Sequence, residues 1–60
     1  MTEFETIKRA LVRVGAEVEV AEFFIGKTIS IPINTLLADD IFLELEFDAK
    51  GKLTDTFVLD

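Results

Sequence analysis

Phe4, Ile7, Leu11 and Val14 recur at spacings of 3, 4 and 3, the signature of one apolar stripe along a helix. Thr2 is placed to cap that helix, with Glu5 three residues on to complete a capping box. Glu5 can pair with Lys8 or Arg9 across one turn, Arg13 complements the dipole in the last turn, and Gly15 supplies a left-handed stop. A helix over residues 3–14 is predicted.

After Gly15 the period drops from 3.6 to 2. Glu17-Val18-Glu19-Val20 alternates strictly and its valines are β-branched, which predicts a strand over residues 16–24. Ala21 to Ile25 breaks the alternation and calls for a bulge or for burial on both faces. Gly26-Lys27 offers a tight turn, after which Ile29, Ile31 and Ile33 share one strand face, with Thr28, Ser30 and Pro32 on the other. Lacking an N–H, Pro32 suits a strand end, an edge or a bulge. Residues 34–40 form a connection in which Asn34 could cap one helical turn and Asp39-Asp40 is solvated.

From Ile41 the alternation returns, with Ile41, Leu43, Leu45 and Phe47 on one face and Phe42, Glu44, Glu46 and Asp48 on the other. Asp48-Ala49-Lys50-Gly51 is a turn with Asp first and a glycine able to take positive φ, and a last strand runs over residues 52–59. One α+β domain over residues 1–60 follows: an N-terminal helix packed on a small antiparallel sheet of three to four strands.

Composition adds a reason to expect a dimer. Half of the 60 residues are hydrophobic, six of them Phe, whereas a chain this small buries only about 60% of the surface its unfolded form exposes. Disulfides are ruled out by the absence of cysteine, and the usual zinc sites by the absence of cysteine and histidine together, so self-association is the remaining stabiliser. The same absences remove the common nucleophiles and bases, and no cofactor or enzymatic activity is expected. Paired carboxylates could serve glycoside hydrolysis, but a chain of this length has little volume for the cleft that chemistry needs.

Phe4, Phe47 and Phe57 are assigned to the core. Phe42 shares a face with glutamates, and of the consecutive Phe23 and Phe24 one must point outward, so these three are the candidate interface.

Net charge is −6. The acid lies after the helix: residues 1–14 sum to +1 and residues 15–60 to −7. Glu17, Glu19, Glu44 and Glu46 are expected to gather on the outer sheet face around Thr28 and Ser30, where they solubilise the domain or attract a basic protein and repel nucleic acid. Gly26-Lys27-Thr28 resembles the end of a phosphate-binding loop. The pattern needs glycine at Ala21 and a helix after Thr28, and it has neither. Two lysines likewise disqualify residues 48–52 as a calcium loop. No run approaches the ~20 apolar residues of a membrane span and no basic leader precedes an apolar stretch, so a cytoplasmic location is expected. The expected function is protein–protein interaction through a self-associating module, with mimicry of a nucleic acid by the acidic face as the rival.

Overall fold

The computed structural model of the chain describes residues 1–33 and 41–59. In chain order they form α1 (Glu3–Arg13), β1 (Glu19–Phe23), β2 (Gly26–Ile33), β3 (Ile41–Asp48) and β4 (Leu53–Leu59). The strands make one antiparallel sheet in the order β1-β2-β3-β4. One helix and a four-stranded antiparallel sheet make the domain α+β. The helical turn considered for the connection after Ile33 falls outside the described residues.

Both ends of α1 follow its local chemistry. The Thr2 hydroxyl accepts from Glu5 N at 3.2 Å, while Glu5 Oε1 accepts from Thr2 N at 3.2 Å and from the Thr2 hydroxyl at 3.1 Å. At the other end Gly15 has φ +82°, Gly15 N donates to Val12 O at 3.1 Å and Ala16 N to Leu11 O at 3.0 Å, the paired bonds of a Schellman stop.

The helix lies on one face of the sheet. Phe4, Ile29, Leu45 and Phe47 are the buried core, Ile7 and Leu11 pack against it, and the Phe4 and Phe47 rings meet edge to face at 5.2 Å. Val14, the last member of the predicted stripe, is exposed because the helix has already ended. The start of α1 is moored to the β3–β4 turn: Phe4 N donates to Gly51 O at 2.8 Å and Leu53 N to Glu3 Oε1 at 2.8 Å.

That turn is organised by Asp48. Its N–H donates to Lys52 O and its carbonyl accepts from Gly51 N, both at 2.9 Å, while its Oδ1 accepts from Lys50 N and Lys52 N. The bond from Lys52 N, and then the other contacts of the turn, hold the Asp48 carboxyl below its ordinary value. Glu5 is held low in the same way, chiefly by Thr2 N–H. A carboxylate whose pKa is depressed by folding stabilises the fold above its unfolded value, and the contribution disappears as pH falls through the folded one. Denaturant midpoints are therefore expected to fall as pH drops from about 5 to 3. With Asp48→Ala, a smaller fall is expected over the same range.

Three differences from the pattern-based reading have physical causes. The β1–β2 turn is Phe24-Ile25, and Gly26 is already in the ladder, paired with Phe23 and Asp48. Here a glycine is needed for close approach: a Cβ on Gly26 would collide with the carbonyl oxygen of Phe47. Glu17 precedes β1, which begins only at Glu19. Phe57 belongs to the outer face and not the core, because the register slips between Glu46 and Phe47, where Thr54 is extra. One inserted residue turns every later side chain of β4 over.

Pro32 is accommodated by the same register. Asp48 turns its N–H and C=O toward β4, so alternation points those of Phe47 toward β2 and those of Gly26, Thr28, Ser30 and Pro32 toward β1. β1 pairs only as far as Glu19↔Ser30, and the position of Pro32 demands no donor.

Candidate interaction face

The face opposite α1 carries the residues singled out from the sequence. Cross-strand rows define it: Phe23, Gly26 and Asp48; then Ala21, Thr28, Glu46 and Asp55; then Glu19, Ser30, Glu44 and Phe57; then Pro32, Phe42 and Leu59. Successive rows lie about 7 Å apart, so Phe42 and Phe23 stand at opposite ends, roughly 20 Å from one another.

Phe42 is thus joined by Pro32, Phe57 and Leu59 in one apolar patch. Phe42, Phe57 and Leu59 are 36%, 39% and 44% exposed, well above what a monomer core would leave. Phe23, 59% exposed, forms a second patch with Phe24 and Ile25 at the hairpin tip, where Phe24 is fully exposed. The structure separates these two groups, which sequence reasoning had treated as one. It also missed Phe57 and Leu59, whose orientation depends on the bulge.

Glu19, Glu44 and Glu46 share the face around Thr28 and Ser30 as expected, while Glu17 stands outside the ladder. Asp48 and Asp55 complete the acidic set. Glu46 and Asp55 are directly opposed, an arrangement that costs a few tenths of a kcal/mol or more. Asp55 turns its Oδ1 to the N–H of Thr56 at 2.8 Å. Among the described residues the single ion pair, Lys27 Nζ to Glu22 Oε1 at 3.7 Å, lies on the helix face, where Lys27 also stands 4.7 Å from the Phe4 ring. The outer carboxylates are therefore without an ion pair in this set, although Lys50 and Lys52 of the adjoining turn act on Asp48.

Among the described residues no group of three His, Cys, Asp or Glu is arranged to hold a metal ion, and no helix is long and apolar enough to cross a membrane. Comparison with family models, with curated proteins and with solved structures finds no match. The outer face has therefore to be interpreted from its own chemistry.

Proposed function

We propose that this chain is a small, non-enzymatic protein–protein interaction module that self-associates as a homodimer through the outer face of its sheet. The observation that carries the reading is the patch of Pro32, Phe42, Phe57 and Leu59 on a face that the chain's one described helix does not cover. Covering it in a second copy removes apolar surface from water at about 25 cal/mol per Å². The two-fold symmetry usual for a dimer needs only a self-complementary patch. A hydrophobic surface of this kind suits a protein partner.

Light scattering coupled to size exclusion, over a hundredfold range of concentration, tests it. The wild-type chain is expected at twice its 6.7 kDa mass, and the Phe42→Ser/Phe57→Ser variant as a monomer with an unchanged circular dichroism spectrum. A wild-type monomer at every concentration would sink the self-association reading.

A second reading has its own observation. Glu19, Glu44, Glu46, Asp48 and Asp55 occupy one face, and among the described residues none of them is in an ion pair, which favours a basic protein as partner and nucleic-acid mimicry as the role. Binding of that kind weakens steeply with salt, and charge reversal at Glu44 and Glu46 removes it, whereas an aromatic interface is nearly indifferent to salt.

A further inference from the structure

The outer face changes character along its strands. At the end of the β1–β2 hairpin tip stands the row of Phe23, Gly26 and Asp48, followed by the rows of Glu46 and Asp55 and of Glu19 and Glu44, with Pro32, Phe42 and Leu59 at the far end. Phe57, beside Glu44, extends the last row along β4. The apolar patch therefore occupies one corner of the face, and the carboxylates fill its middle. When a second copy covers that corner, two-fold symmetry leaves the direction of its strands open, and the direction decides what the carboxylates meet.

Aligned sheets stack about 10 Å apart with their strands running the same way or opposite ways. With the two-fold axis along the strands, between β3 and β4, every row faces its own copy. Phe42 of each chain then meets Leu59 of the other, and Glu46 of each meets Asp55 of the other. With the axis across the strands, in the plane of the interface and over the patch, the row order reverses. Phe57 of each chain then meets Leu59 of the other, and the rows of Asp48, Glu46 and Asp55 lie beyond the end of the second sheet. Apolar contact is available both ways, so charge decides. The first arrangement places four carboxylates, from Glu46 and Asp55 of both copies, in the middle of the stack, where desolvation adds to an opposition already present within each sheet. The second keeps these carboxylates about 20 Å or more from their copies, beyond the screening length of about 8–10 Å. Lysine does not relieve the first: Lys27 lies on the helix face with Glu22, and Lys50 and Lys52 belong to the turn beyond Asp48.

Given the homodimer proposed above, we infer that its two copies stack with opposed strands, overlapping at the corner of Pro32, Phe42, Phe57 and Leu59, with both hairpin tips pointing away from the contact. The aromatics hold the dimer, and Glu46 and Asp55 set its direction by excluding the competing arrangement. Row and strand spacings give each arrangement its dimension. The two hairpin tips stand about 45 Å apart with opposed strands and about 20 Å apart with parallel ones.

Pulsed dipolar spectroscopy on the Phe24→Cys chain carrying a nitroxide label tests the direction. Phe24 is fully exposed at the tip and the chain has no cysteine of its own, so each copy bears one label at a site that packs against nothing. A single distance of about 45 Å is expected. A distance of about 20–30 Å, as parallel or crossed strands would give, overturns the proposal. Glu46→Gln/Asp55→Asn keeps the shape of both side chains and removes their charge, and is expected to add a population near about 20 Å. If that variant retains only the long distance, charge does not set the direction and the proposal is overturned on that count. In the Phe42→Ser/Phe57→Ser background the dipolar signal should vanish, and a signal that survives there would move the contact off the patch. The mass of the labelled sample separates the two readings. A monomer sinks the homodimer and this arrangement with it, whereas a dimer with a short distance sinks the arrangement alone.

Discussion

Ile29→Ala is expected to leave most of the chain unfolded at room temperature. Among the described residues Ile29 is the one large side chain with no exposed surface, at the centre of the sheet between Val20 and Leu45 and in the cluster that receives Phe4. Truncating a buried isoleucine costs about 2–5 kcal/mol, through lost transfer energy and the cavity left behind. A domain of this size has only about 3–9 kcal/mol in total. Among the described residues the buried cluster has just three other members, Phe4, Leu45 and Phe47, which leaves little material there to collapse into the space. Loss of amide dispersion in the NMR spectrum, with recovery of part of the signal in a stabilising osmolyte, is the expected readout. Val58→Ala, on the same sheet face but 66% exposed, is the control and should change stability by less than about 0.5 kcal/mol.

If the chain dimerises through its outer face, the same substitution becomes sensitive to protein concentration. Binding of a second folded copy stabilises the native state by mass action, so the unfolded fraction of Ile29→Ala should fall as concentration rises. The Phe42→Ser/Phe57→Ser background should remove that dependence. Core and surface are thereby linked through one equilibrium.

How much of this was legible in the sequence depended on how local the signal was. α1 could be read almost to the residue because its cap, stripe and stop lie within 15 consecutive positions, and each device is satisfied within the segment. The hairpin at Asp48 to Gly51 was legible for the same reason. What failed depended on another strand. Phe57 was assigned to the core because strict alternation from Leu53 puts it there, and only the slip opposite Glu46 and Phe47 turns it outward. The acidic face was read correctly for Glu19, Glu44 and Glu46, whose strands keep an unbroken period of 2, whereas Glu17 lies before the ladder begins.

Gly26→Ala is the substitution on which the two interpretations of that glycine differ most. A glycine in a two-residue turn is retained for its backbone freedom, and replacing one held at positive φ costs roughly 1–2 kcal/mol with no collision. Gly15 is such a case in this chain: φ is +82° and nothing lies within 4 Å of an added Cβ, so Gly15→Ala should fall in that range. Gly26 has no positive φ to relieve, and its added Cβ would overlap Phe47 O and approach the carbonyl carbons of Phe47 and Asp48 at 3.1 Å. These are backbone atoms of the neighbouring strand, which cannot rotate aside as a side chain would. Relief requires β2 and β3 to part where Lys27 pairs with Phe47, and the Phe47 ring is the partner of Phe4 in the core. Loss of about 3 kcal/mol or more is therefore expected, comparable to a core truncation although no core atom is removed. Denaturant titration of Gly26→Ala beside Gly15→Ala measures the contrast. Equal, small losses in the two variants would return Gly26 to the turn and dissolve the close approach on which the register of β2 and β3 depends.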